Sequence, residues 1–398
     1  MDTIPRFGGG REIVMQVTYT APNRAHHFAY AKALYQADML KAFVSAVSRF
    51  SPHEAPPELK NEFVRVDQLQ NLFLASQRLN LSATICDELA YWSKRWLDRQ
   101  SRPFAWRSDL FLFYSGCGLD TCRSLAGEGV ICMVEAVNSH VLAQERLLQE
   151  EHAILGLPLP RFHRREVRRR VAEYELADAI LCPSNFVAKS FVEYGFPPAK
   201  IRVVPYGFTP QEFGPPDREH REGFRVLYVG QISVRKGIHY LLQAFEQLRH
   251  PEKRLTIVGP LAKPTGIENV ALPHGVEFTG ALKGEALQNA YAAADVFVLP
   301  SIEEGLALVL GEAMASGLPV IATENTGADH LMTNGREGFI VPIRNANAIA
   351  LRLQELADDM RLRAKMSARA LERCKELGGW SQNAKSLIGA LQDVAKTK

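Results

Sequence analysis

The chain has 398 residues, 46% hydrophobic and 23% charged, with a formal net charge of +3. That length supports two domains with full cores, and the mild charge argues against the concentrated basic face of a nucleic-acid binder. No apolar stretch reaches the roughly 20 residues of a membrane-spanning helix, and the six cysteines form no C-x-x-C pair, so neither a disulfide framework nor a zinc site is indicated.

In chain order, residues 1–11 read as a flexible leader that lacks the basic-then-apolar pattern of a signal peptide. Residues 12–20 (EIVMQVTYT) read as a first strand and FAYAKALYQA as the helix after it. AFVSAV, LFLFYS and VICMVEAV read as further strands, with helical stretches between. The pair Gly116 and Gly118 lacks the third glycine of a dinucleotide fingerprint and reads as a turn, which argues against a nicotinamide enzyme. Residues 206–223, rich in Pro and Gly, read as a linker. A second series follows: FRVLYVG strand, KGIHYLLQAFEQL helix, RLTIVG strand, VEFTG strand, GEALQNAYAAA helix and VFVLP strand. Residues 381–398 read as a terminal helix. Alternation in both halves implies two doubly wound α/β domains, residues 12–205 and 224–380, whose binding crevices lie beyond the strand carboxyl ends.

Three segments carry chemistry. In SIEEGLALVLGEAMASGLPVIAT, Glu304 and Gly305 follow a strand, and a helix begins near Leu308 and stops at Gly317, with Pro319 beyond. A helix amino terminus at a strand end suits a phosphate, and Glu312, one turn inside, can reach a diol. In VGQISVRKG a strand ends at Gly230 and the loop delivers Arg235 and Lys236, a bidentate fork and a mobile point charge suited to a diphosphate. In VICMVEAVNSH an apolar strand runs to a loop bearing His140, with Ser139 placed to cap the next helix. No D-x-D pair, H-E-x-x-H or other metal motif stands in the chain.

These segments resemble retaining glycosyltransferases of family 4, whose E-x7-E motif follows a strand and whose second half commonly reads EAMA-x-G-x-PV. The resemblance continues through IVGP, VEFTGAL, AADVFVLPS, ENTGADHLM and NGREGFIVP, and through ELADAILCPSNF to VVPYGFTPQEF in the first half. It implies the GT-B architecture, two Rossmann-like domains facing across a cleft, with the terminal helix crossing back to the first domain. It also implies a metal-independent transfer of a hexose from a nucleoside-diphosphate sugar to an acceptor hydroxyl, with retention, as in bacterial-type polysaccharide or glycolipid assembly.

In that reading Glu312 holds the ribose diol and Glu304 the hydroxyls of the transferred sugar. Backbone N–H groups near Leu308 and Val309 meet the phosphates, the loop of Gly280 to Lys283, including Leu282, contacts the base, and Arg235 with Lys236 stabilises the leaving diphosphate. His140 would stand near the sugar. Two departures are visible: Gln231 stands where many relatives have Arg, and the bulky His26 and His27 stand where many have glycines, shaping the acceptor side instead. With no carboxylate placed as a nucleophile in the first domain, a front-face mechanism is expected. Rival readings are an epimerase or hydrolase of sugar nucleotides on the same fold, and a non-catalytic sugar-nucleotide binder.

The expected partners are a nucleotide-sugar donor and a glycan or lipid-linked acceptor, and the expected location is cytoplasmic. Six arginines among residues 161–170 form a basic helix face that would meet the inner leaflet of a membrane if it docks there.

Overall fold

The computed structural model describes residues 14–51, 55–209, 223–268 and 270–396. The leader and most of the expected linker lie outside these residues. Strand and helix alternate along the chain, and the strands collect into two sheets. The first contains Val17–Ala21 (β1), Leu40–Ser45 (β2), Phe63–Arg65 (β3), Leu110–Tyr114 (β4), Ile131–Glu135 (β5), Ala179–Cys182 (β6) and Ile201–Val203 (β7). Their order is β3-β2-β1-β4-β5-β6-β7. The second contains Phe224–Val229 (β8), Lys253–Val258 (β9), Val276–Gly280 (β10), Val296–Leu299 (β11), Val320–Thr323 (β12) and Gly338–Val341 (β13). Its order is β10-β9-β8-β11-β12-β13.

β1 pairs in parallel with β2 and β4, and β8 with β9 and β11. Parallel sheets need helices on both faces, which is why β11 and β12 are apolar and buried along their whole length. The chain thus folds as two parallel-sheet α/β domains. In each sheet the winding reverses beside its first strand, and the reversal opens a crevice at the carboxyl ends of β1 and β4, and of β8 and β11.

Contacts divide the chain into two compact units. One holds Met1–Glu135, Ala172–Ala179 and Leu387–Lys398, the other Ala136–Val171 and Ile180–Ser386. The helix Gly379–Lys396 therefore contributes to both. β1 starts at Val17, later than the apolar pattern suggests, whereas the helix expected near Leu308 spans Leu308–Ala315 with Gly317 left-handed just past its end. The turn at Gly116 and Gly118 is anchored within its own unit: the carboxylate of Glu173 accepts from Gly116 N–H at 2.5 Å and from Gly118 N–H at 2.9 Å. Those N–H groups are thus engaged within the fold.

Candidate functional site

Within the second unit, the loops leaving β8 and β11 meet at the reversal of winding. After Gly230 the chain makes a short turn, Val234–Lys236, and Gly237 closes it at φ 64. A side chain at Gly237 would come within 2.1 Å of the Pro300 carbonyl, so glycine there lets the two loops touch. The Ile302 N–H donates to the Arg235 carbonyl at 2.9 Å and stitches them together.

That approach sets two cations on two neighbouring acids. Lys236 Nζ forms an ion pair with Glu304, and the Arg235 guanidinium lies 3.7 Å from Glu304 and 3.2 Å from Glu303. Burial opposes ionisation of Glu304, but the charges of Lys236 and Arg235, with the Lys236 hydrogen bond, outweigh it and hold the carboxyl below its usual range. Burial likewise disfavours the Arg235 cation, and Glu304 and Glu303 more than restore it.

Glu303 is the residue that sequence reasoning passed over. It is fully buried and accepts from the Ser139 N–H at 3.0 Å, Ser139 Oγ at 2.7 Å and Gln144 at 3.0 Å as well as from Arg235. Only its neighbour carries the motif, and nothing local distinguishes the two glutamates.

Glu312 lies one turn inside the helix that opens at Leu308, and its carboxylate accepts from the Tyr291 hydroxyl at 2.9 Å. Burial, reinforced by the charge of Glu312, raises the Tyr291 phenol, so it stays a donor. Tyr291 is carried by the helix Gly284–Ala293, which follows the loop of Gly280 to Lys283 containing Leu282. At the head of the Glu312 helix Ala307 provides no side-chain cap, so the Leu308 and Val309 end presents backbone donors and a positive dipole end. Gly305 packs under the same loop: a Cβ there would lie 1.8 Å from the Val137 carbonyl, and its own carbonyl accepts from Ser184 Oγ at 2.6 Å.

His140, and not Ser139, occupies the N-cap of the helix Val141–Ile154. Its Nδ1 accepts from the Leu142 N–H at 3.3 Å, while Ser139 turns its hydroxyl to Glu303, the stronger acceptor because it is ionic. The His140 ring stacks on Tyr194 at 4.4 Å, and burial together with Arg170 lowers its pKa to about 4, so it is neutral at physiological pH. Asp295 accepts from the Arg225 N–H at 2.8 Å and serves the turn into β11.

In the first unit, His26 and His27 are buried at the start of the helix His27–Gln36, His26 as its N-cap, around Glu135 at the end of β5. His26 bonds Glu135, His27 Nδ1 lies 2.5 Å from the Tyr19 hydroxyl, and Tyr19 donates to Glu135 at 2.7 Å. The two histidines thus turn inward. Their ring nitrogens and the Glu135 carboxylate lie within 4.8 Å of one another and form the one group of metal-ligand type among the described residues, a grouping no sequence motif announced. In this arrangement the three side chains satisfy each other.

The basic segment forms the helix Arg164–Leu176, with Val167 and Tyr174 buried. Arg164 pairs with Glu145 at 2.6 Å, and Arg161, Arg164, Arg165 and Arg168 face solvent. That helix carries mostly charge to solvent, with Leu176 its one exposed large apolar side chain.

The stretch that holds Arg235, Lys236, Glu304 and Glu312, residues 213–373, matches the family described as glycosyl transferases group 1. That match covers less than half of the chain. Residues 139–212, which begin beside His140, match glycosyltransferase family 4. Sulfoquinovosyl transferase SQD2 of Arabidopsis thaliana is 33% identical over 176 residues, 42% of this chain and 34% of that protein. D-inositol 3-phosphate glycosyltransferase of Corynebacterium kroppenstedtii is 28% identical over 256 residues, 57% and 56% of the two chains. The chain thus spans less than two thirds of the length of these curated relatives.

Sucrose-phosphate synthase from Thermosynechococcus elongatus superposes with a TM-score of 0.72 at 19% identity, covering 96% of this chain and 100% of that one. The Anabaena protein HepE in complex with UDP-glucose superposes at 0.64 with 17% identity, covering 95% and 100%. At those identities the likeness is one of fold, that of GT-B glycosyltransferases.

Proposed function

We propose that the protein is a retaining hexosyltransferase that moves a sugar from a nucleoside diphosphate to an acceptor hydroxyl without a metal ion. The observation that carries this reading is the placement of Arg235 and Lys236 against Glu304 at the β8–β11 reversal, beside an uncapped helix amino terminus. A diphosphate at that terminus competes with Glu304 for both cations. Lys236 and Arg235 turn toward the phosphates as negative charge grows on the leaving group, and Glu304 is released to accept from sugar hydroxyls. Glu312, held by Tyr291, accepts from the ribose diol.

His140, uncharged, offers its Nε2–H as a hydrogen-bond donor near the sugar and does not act as an acid at neutral pH. With no carboxylate assigned as nucleophile, the leaving phosphate takes the acceptor proton on the same face, which retains configuration. Use in polysaccharide or glycolipid assembly, at the cytoplasmic face of a membrane, belongs to the same proposal.

Thermal unfolding in the presence of uridine, guanosine and adenosine diphosphate sugars tests the donor: one of them at ~100 times its dissociation constant should add about 2.7 kcal/mol. With that donor, transfer that depends on acceptor and persists in a chelator separates this enzyme from an epimerase or hydrolase, which turns over without acceptor. Anomeric configuration of the product, read by NMR, tests retention. Absence of stabilisation by every donor would overturn the reading.

A further inference from the structure

Between β3 and β4 the first unit carries a pair of helices, Gln68–Arg78 and Ala83–Ala105, joined by an exposed turn. The longer helix turns Tyr91, Leu97, Asp98, Ser101 and Ala105 inward. Advancing by the helical repeat, the opposite side lines up Ile85, Trp92 and Trp96 in one strip. Trp92 is 41% and Trp96 38% exposed, and Leu79 at the turn is 71% exposed; Leu72, Leu81 and Ile85 are exposed as well. Isolated exposed apolar residues are ordinary, but a run of large ones along one helix pair is not.

Beside the strip runs a second row, Arg95, Arg99 and Arg102. Together with Arg123 they line an open pocket of 620 Å³ whose single lining acid is Asp120. Arg95 and Arg99 reach the Asp120 carboxylate at 3.2 Å and 3.4 Å, and Arg102 donates to its backbone carbonyl at 3.1 Å. Four guanidinium groups against one carboxylate leave the pocket cationic. The Arg95 guanidinium also lies 5.3 Å from the Trp92 ring centre, so the apolar strip and the cationic row meet.

We propose that this helix pair docks on an anionic lipid surface, with Leu79, Leu81, Ile85, Trp92 and Trp96 entering the interfacial layer and the four-arginine pocket taking a lipid phosphate. Tryptophan favours the depth where headgroups meet acyl chains, and arginine beside it extends along apolar surface to reach phosphate. A bidentate guanidinium matches that phosphate better than the lone carboxylate it now shares. Charge decides against a second copy of the chain as the occupant, because an isologous contact would set cationic row against cationic row. The basic helix Arg164–Leu176 is the weaker candidate for the same role, since its Val167 and Tyr174 are buried and Leu176 is its one exposed large apolar side chain. The inference does not depend on the transferase reading.

The test is co-sedimentation of the whole chain with phosphatidylcholine vesicles, with and without about a third phosphatidylglycerol, at about 0.1 M and about 0.5 M salt. Binding to the anionic vesicles, weakened by salt, is expected, with a blue shift of tryptophan emission, because Trp92 and Trp96 are two of the four tryptophans. Trp92→Ser with Trp96→Ser, and separately Arg99→Glu with Arg102→Glu, should each lower partitioning about tenfold or more. Arg164→Glu with Arg168→Glu should change it by less than about twofold. Circular dichroism melts confirm that each variant folds. Negligible binding to both vesicles overturns the proposal, as does binding lost with Arg164 and Arg168 but indifferent to the tryptophans. A dimer in light scattering that Trp92→Ser with Trp96→Ser dissolves would assign the surface to a second copy and overturn it equally.

Discussion

The Arg235 guanidinium donates to the Glu303 carboxylate at 3.2 Å, and that buried carboxylate also accepts from both the N–H and the hydroxyl of Ser139, next to His140. One acid therefore holds a proposed diphosphate cation and the loop of the proposed sugar-contacting histidine in a single network. Replacing Glu303 by Ala leaves four donors without their acceptor and should cost about 2–4 kcal/mol in urea unfolding. Glu303→Gln keeps the shape and loses less, but Arg235 is no longer anchored, so donor KM should rise. An unchanged donor KM in a folded Glu303→Gln variant would reduce Glu303 to a structural residue.

Lys236→Ala removes the cation most closely held by Glu304. Loss of an electrostatic stabiliser of the leaving group typically lowers turnover by about two orders of magnitude or more. The fold should persist, because Arg235 remains 3.7 Å from Glu304 to compensate its charge. Wild-type kcat in a folded Lys236→Ala protein would remove the basis for the assignment.

The two motif glutamates should separate in binding experiments. Glu312→Gln should weaken free nucleoside diphosphate and intact donor alike, whereas Glu304→Gln should spare the nucleotide and weaken the donor. Calorimetric titration reads both, and an equal loss for free nucleotide in the two variants contradicts the division between ribose and sugar.

Stability should fall as the solution becomes mildly acidic. His140 and His27 both have folded pKa values lowered to about 4 by burial, against about 6.5 in the unfolded chain. Below about 6.5 the unfolded chain takes up protons that the folded one refuses, so unfolding becomes easier as pH drops toward 4. The lowered carboxyls, Glu304 and Glu135, contribute only further down, below about 4.5, and do not confuse the window between about pH 6.5 and 5. His140→Asn, which keeps an N-cap acceptor, should lose less stability between about pH 7.5 and 5.5 than wild type does. Equal losses in urea midpoints would mean that His140 is not held neutral.

How much of this the sequence carries depends on the distance over which each feature is written. β8, β9, β11 and the helix Leu308–Ala315 follow from apolar runs and a terminal glycine within a dozen residues. Arg235, Lys236, Glu304 and Glu312 are legible for the same reason: each stands in the loop after a strand or in the short helix that follows that loop. Glu303 is silent because its partner Ser139 is 164 positions away and its neighbour has the same side chain. Glu135 reads as the end of an apolar strand, and only its bond to His26, 109 positions away, turns two presumed loop histidines into the core. The cap beside Glu303 is misread by one residue, since a capping serine and a serine serving a buried carboxylate look alike in one dimension. The exposed strip of Trp92 and Trp96 reads merely as helical, because burial of the opposite face decides which side is outside.

Gly305 offers the sharpest steric test of the site. Its neighbour Glu304 must lie against Lys236, and that position requires the loop backbone to pass the Val137 carbonyl where a Cβ would stand 1.8 Å away. A methyl group there cannot be accommodated by a side-chain rotation, since the obstacle is backbone. Gly305→Ala should therefore push the loop outward, cost about 1–3 kcal/mol as overpacked sites do, and lower kcat by separating Glu304 from Lys236. Gly335→Ala is the contrast: its φ of 83 is strained for alanine, but nothing lies within 4 Å of the added carbon. It should cost only about 1 kcal/mol and leave turnover unchanged. If Gly305→Ala matched Gly335→Ala in both melting temperature and kcat, the loop would be free to move without consequence, and the coupling of Glu304 to Lys236 would have no part in transfer.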